Sequence, residues 1–243
     1  MADPTYPPLD TLKPIAPGIW IVDSGPFSAG LPLPVRMTVV RLAGGDVWLH
    51  SPTRFSEALR REIEAIGPIR HLVAPNIAHW TFLAEWQRRC SGATLWAPPE
   101  LRRRMPVRRS GLRIDRDLGP DSPTEWAGDL GQTSVPGGFG FREIAFFHAV
   151  SGTLILTDLV LNLEPHKLPP YLRPLMRLAG ATAPDGRAPL YLRFLVRLGG
   201  REASRAAAAL VALAPRRVLF AHGAWFAHDA TPALRRSLRW LIR

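Results

Sequence analysis

The sequence predicts an α/β sandwich in which helices pack outside sheets, and three observations carry that prediction. Apolar runs of strand character come first, as IWIVDS, RMTVVRLAGG and DVWLHSP. From Ser56 onward such runs alternate with stretches whose apolar residues recur at helical spacing. The strands in these later units have apolar cores, as buried sheets require. A sheet face and a helix stripe that are both apolar must cover each other, and layered architectures do so.

The elements follow in order. Gly44-Gly45-Asp46 between two apolar runs is a hairpin signal. SEALRREIEAIG puts Ala58, Leu59, Ile63 and Ile66 on one helix face, with Ser56 as N-cap. HLVAPN reads as a strand, AHWTFLAEWQRRC as a helix, ATLWAPP as a strand and PELRRRM as a short helix that stops before Pro106. Val107 to Gln132 is polar and turn-rich, so loop with brief strands is expected. FREIAFFHAVSGTLILTDLVLN gives two strands joined by a tight turn at Ser151-Gly152. Residues 163–200 are Leu/Arg-rich and broken by proline and glycine, which predicts short amphipathic helices forming a lid-like insertion over one end. The chain then continues as helix (REASRAAAALVALA), strand (RRVLFAHG) and helix (ATPALRRSLRWLIR). With no internal repeat, residues 1–243 are expected to form one domain.

Composition narrows the function classes. Apolar residues at 47% and charged residues at 21% are ordinary for a globular protein. No apolar run approaches a membrane span, and MADPTYPPLD lacks the features of a signal peptide, so a cytoplasmic location is expected. Cys90 is the only cysteine, which excludes an intrachain disulfide and a thiolate metal cluster. A net charge of +11 raises the question of nucleic acid. Yet Lys13 and Lys167 are the only lysines, and an arginine bias with abundant Ala, Gly and Pro fits GC-rich coding better than phosphate contacts. The expected partner is a small-molecule substrate or ligand. Nucleic acid is disfavoured, and a membrane surface met by the arginine-rich helices is the weaker alternative.

Four apolar runs end on polar side chains: VWLHSP on His50, HLVAPNIAH on Asn76 and His79, LILTDL on Asp158 and VLFAHG on His222. Each has a structural explanation of its own. Asn76 suits a helix N-cap with His79 in the first turn, Asp158 suits an N-cap, His50 suits a polar strand terminus and His222 a turn before Gly223. Four together, in a chain with seven histidines, point to a shared site, because a rigid sheet aims strand-end side chains from distant sequence into one cleft.

On these residues the chain resembles the metallo-β-lactamase-fold superfamily of metal-dependent hydrolases, and is similar to an uncharacterised branch of it, a domain of unknown function. The resemblance implies an αββα sandwich with the helical insertion over the site. It sets His79 at the last histidine of the principal metal motif, with Ala74, Asn76 and Ala78 at its other ligand positions. PGGFGFREIAFFHAVSGTLILTDL resembles the family's PGH turn, hairpin and bridging aspartate, with Gly138 in place of the histidine and Asp158 retained. RRVLFAHG resembles the last strand, closed by His222. A dinuclear site is therefore not expected. His79, Asp158 and His222 remain as ligands for one zinc or iron ion, with Asn76 or His50 to orient a water or stabilise an oxyanion. The implied activity is hydrolysis of an ester, lactone, amide or phosphoester. The alternative is a metal-free, inactive member of the fold, in which His50, Asn76, Asp158 and His222 form a buried hydrogen-bond network and the protein acts in ligand binding or interaction.

Overall fold

Side-chain alternation along each strand decides the layers. The computed structural model, which describes residues 3–28 and 32–242, has two main sheets. The larger holds β1 (Lys13–Ala16), β2 (Ile19–Ser28), β3 (Pro32–Arg41), β4 (Val47–His50), β5 (Ile69–Val73), β6 (Thr94–Ala97) and β7 (Arg116–Asp117), in chain order. Pairing is antiparallel as far as β4 and parallel from β4 to β7. The smaller holds β8 (Leu130–Pro136), β9 (Arg142–His148), β10 (Thr153–Ile155) and β12 (Arg217–Leu219), in the order β12-β10-β9-β8. A separate parallel pair joins β11 (Leu161–Asn162) to β13 (His222–Gly223).

Alternate residues enter different cores. In β4, Trp48 points between the sheets while Val47 and Leu49 point outward; in β9, Ile144 and Phe146 point between them and Ala145 outward. Trp48, Val73, Trp96, Ile144, Phe146, Ile155 and Leu219 thus form one inner core drawn from both sheets. Outside the larger sheet lie α1 (Glu57–Glu64) and α2 (Leu83–Arg89), followed by α3 (Met105–Arg109). Outside the smaller sheet lie α5 (Leu190–Arg197), α6 (Gly200–Ala212) and α7 (Ala230–Leu238), while α4 (Arg173–Ala179) contributes Met176 to a small cluster with Leu161 and Leu163. Helix, sheet, sheet and helix make four layers, as the αββα expectation requires. None of the helices among the described residues is long and apolar enough to cross a membrane.

Local chemistry accounts for the boundaries. The Ser56 hydroxyl accepts the Leu59 amide at 3.1 Å, an N-cap worth about 1 kcal/mol. The short helix expected over PELRRRM is a 3-10 helix, Pro99–Arg103, which ends before Pro106; α3 follows at once, with Pro106 in its first turn, where a residue without an amide proton is tolerated. The 163–200 segment forms two short 3-10 turns, α4 and α5, and is tied to β11 by the Gly186 amide, which donates to the Asn162 side-chain oxygen at 3.2 Å.

The expected strand RRVLFAHG divides into β12 and β13. The Arg36 guanidinium, paired with buried Asp23 at 2.6 Å, donates to the Phe220 and Gly223 carbonyls at 3.0 and 2.8 Å and holds the bend between them. β10 and β11 divide at the same level, so two parallel neighbours part and rejoin, and the space between receives the polar side chains described next.

The inner core is testable. Trp48 is fully buried, edge-on to Phe146 at 4.9 Å and to Trp126 at 6.2 Å. Trp48→Ala should lower unfolding free energy by about 3–5 kcal/mol in urea titration. A loss below about 1 kcal/mol would mean that this residue does not join the two sheets.

Candidate metal centre

Two loops and one short strand deliver the site. After β5, the Asn76 side-chain oxygen accepts the amides of Ala78 at 2.8 Å and His79 at 3.0 Å. This turn replaces the helix start expected at Asn76: the side chain satisfies the same amides a cap would, but α2 begins only at Leu83. After β10, the amides of Thr157 and Asp158 turn to the Glu143 carboxylate at 2.8 and 2.9 Å, with Leu159 at 3.2 Å. His222 opens β13, and its backbone pairs with Leu161.

Asp158 is the hub. Its Oδ1 lies 3.1 Å from His79 Nε2 and 3.4 Å from His222 Nε2, and its Oδ2 accepts from Asn76 Nδ2 at 2.8 Å. Asn76 Nδ2 also reaches the Thr157 hydroxyl at 3.0 Å. One donor atom each from His79, Asp158 and His222 lies within 4.8 Å of the others. The remaining ring nitrogens are engaged: His79 Nδ1 with Ser51 Oγ at 2.6 Å, and His222 Nδ1 with the Pro34 carbonyl at 2.7 Å.

The Pro34 contact fixes chemistry. A carbonyl oxygen only accepts, so His222 Nδ1 carries the proton and Nε2 of the neutral ring presents a lone pair. That lone pair faces a carboxylate oxygen. Either a second proton or a cation reconciles them, and an outer nitrogen held by a carbonyl is the usual arrangement of a metal-ligating histidine. Two imidazoles and a carboxylate are a donor set that suits zinc or ferrous iron with positions left open.

The electrostatics favour a charged hub. Burial disfavours a charged His79 ring, but the Asp158 carboxylate and its hydrogen bond outweigh it and raise the pKa. Burial likewise pushes Asp158 up, yet His79 and the His222 hydrogen bond hold it well below the usual carboxylate range. Glu143, fully buried, is pushed up to about 7 by burial first and by the Asp158 charge second.

Asn76, His79, Asp158 and His222 thus converge, and His50 stands apart from them. Its ring is buried in the inner core, stacked on Trp48 at 5.4 Å and edge-on to Phe146 at 5.6 Å. Burial, with the nearby His79, depresses its pKa to about 3, so the ring is neutral. A cavity of about 310 Å³ opens over His79, Asp158 and His222, and Tyr191, Trp80 and Leu161 are among its walls. Neither His50 nor Asn76 lines it; Asn76 meets the site through its hydrogen bond to Asp158. His148 lies at the far hairpin end, bonded to Ser151 at 2.8 Å.

The positions that the resemblance assigns to a first metal site are filled differently. Ala74 is buried in the outer core, and a Cβ added at Gly138 would lie 2.5 Å from Leu198 Cδ1 and 2.8 Å from its Cβ. No histidine fits there without displacing the residue after α5. Sequence reasoning missed Ser51, Pro34 and Glu143. Glu143 alone carried a signal, an acid inside the apolar run FREIAFFH.

Comparison with known proteins agrees with the four-layer fold. Residues 18–181, well over half of the chain, match the family described as "Domain of unknown function (DUF4336)". A search of curated proteins finds no match. Among solved structures, a metallo-β-lactamase from Hirschia baltica is similar at TM-score 0.64 and 15% identity, over 99% of each chain. The metallo-β-lactamase FIM-1 from Pseudomonas aeruginosa, in its mono-zinc form, is similar at TM-score 0.62 and 17% identity, over 100% of this chain and 99% of that one. Rubredoxin oxygen:oxidoreductase from Desulfovibrio gigas is similar at TM-score 0.66 and 13% identity, over 94% of this chain and 61% of that one. The chain has the metallo-β-lactamase fold and belongs to the DUF4336 family, a domain of unknown function.

Proposed function

We propose that this protein is a metallo-β-lactamase-fold, hydrolase-like protein whose remodelled site takes at most one metal ion, zinc or iron. The observation that carries the reading is the pair of imidazole Nε2 atoms turned toward one carboxylate oxygen, with His222 Nδ1 tied to a carbonyl. His79, Asp158 and His222 would hold the ion. When bound, it would lower the pKa of a coordinated water for hydrolysis of an ester, lactone, amide or phosphoester. Asn76 fixes the Asp158 carboxylate and Ser51 fixes the His79 ring. The cavity volume suits a small molecule, and its walls are mainly apolar. The mono-zinc state of the Pseudomonas aeruginosa relative supports single occupancy.

One observation favours a second reading, a metal-free ligand-binding protein. Asp158 already has contacts from Asn76, His79 and His222, so with a protonated His222 the hub closes without an ion.

Metal analysis separates the two. Protein purified without chelator should carry substoichiometric zinc or iron, because three protein ligands leave the ion exchangeable. His222→Ala should carry none while keeping its circular dichroism spectrum. Asn76→Ala should weaken binding by about 10–100-fold through loss of orientation. If the wild-type chain takes up no zinc, iron or manganese on incubation, the hydrolase reading fails and the hydrogen-bonded scaffold stands.

Single occupancy gives another expectation. Gly138→His should not add a second equivalent of zinc, and it should unfold at lower denaturant concentration because its side chain meets Leu198. Two bound equivalents in that variant would show that the first site survives.

A further inference from the structure

Seven of the eleven large apolar side chains that stand exposed among the described residues fall between positions 171 and 198. Scattered single exposures are normal, but a concentration in one segment marks an interaction surface. Helix α5 shows why. Leu192 and Val196 face the core, while Leu190, Tyr191, Phe194 and Leu198 recur on the opposite side and stand 50–69% exposed. On α4, Leu175 and Leu178 are exposed opposite buried Met176. The two helices are joined, since Arg193 Nη2 donates to the Ala179 carbonyl at 3.0 Å. A helix that is apolar on both sides has one side still to cover.

Charge identifies the cover. Residues 165–200 contain Lys167, Arg173, Arg177, Arg187, Arg193 and Arg197 against one acid, Asp185, a net charge of +5. Asp185 is engaged by Arg236 at 2.7 Å. A second copy presenting the same segment would set +5 against +5. An anionic lipid surface instead accepts leucine and aromatic side chains at the acyl boundary and arginine at its headgroups. We infer that the outward face of α4 and α5 docks the protein on an anionic membrane surface. Tyr191 belongs both to that face and to the cavity wall beside His79 and Asp158, so docking sets the cavity mouth against the lipid. This inference does not depend on a metal in the site.

The test is co-sedimentation of the full chain with vesicles of phosphatidylcholine alone or mixed with phosphatidylglycerol. Binding should appear with the mixed vesicles, be far weaker with phosphatidylcholine alone, and fall as salt is raised. Leu178→Glu combined with Phe194→Glu should abolish it with an unchanged circular dichroism spectrum, since both side chains are exposed. Arg177→Gln with Arg197→Gln should weaken it while leaving the apolar face intact. His222→Ala should bind as the wild type does, which separates docking from the metal reading. No binding to mixed vesicles, or binding that the Leu178 and Phe194 pair leaves unchanged, would overturn the inference. So would a dimer in solution that the same pair of substitutions dissociates.

Discussion

Two adjacent residues of β9 hold the site together. The Glu143 carboxylate accepts the amides of Thr157, Asp158 and Leu159, and the Ile144 amide donates to the Pro75 carbonyl at 2.9 Å. One strand of the smaller sheet therefore fixes both the Asp158 loop and the Asn76 turn, which comes from the larger sheet. Burying a carboxylate is costly, and three amide donors offset that cost where a strand end would otherwise leave those groups unpaired. The same contacts make the chain leave the sheet after β10, which opens the space occupied by Asp158.

From that anchor the geometry of the hub follows. Asn76 is immobilised at its oxygen by two backbone amides and can aim its nitrogen only at Thr157 and Asp158. His79 and His222 are each held at the outer nitrogen, so both inner nitrogens meet at Asp158 Oδ1. Fixing all four groups from behind is what distinguishes a preorganised site from a chance cluster of polar side chains.

The four layers and four of the five candidate residues were legible in the sequence, because a polar side chain ending an apolar run is a local pattern. His50 shares that pattern, but strand parity turns it into the aromatic layer beside Trp48 rather than toward the cavity. Glu143 stands out as an acid inside the apolar run FREIAFFH, but its role was hidden for a different reason. Its partners are backbone amides fourteen to sixteen residues downstream, and an amide has no signature in the sequence. The Pro34 carbonyl, which sets the His222 tautomer from 188 positions away, was invisible on the same ground. The split of RRVLFAHG into two strands likewise depends on Arg36, a residue remote in sequence.

Gly138 shows that packing, as well as ligand chemistry, decides what a position can hold. The sequence shows only that the histidine of the resemblance is absent there, and is silent on what takes up its space. In the fold, the Gly138 amide donates to the Leu195 carbonyl at 2.7 Å, and Leu198 takes the space where a side chain would begin. α5 therefore closes on the turn that the resemblance assigns to the first metal, burying Leu192 and Val196 as it does so. Apolar burial of that kind, at roughly 25 cal/mol per Å², rewards a glycine at 138 independently of any metal. The same helix that brings Leu198 against Gly138 also places Tyr191 in the wall of the cavity beside Asp158, so the packing of α5 shapes both places at once.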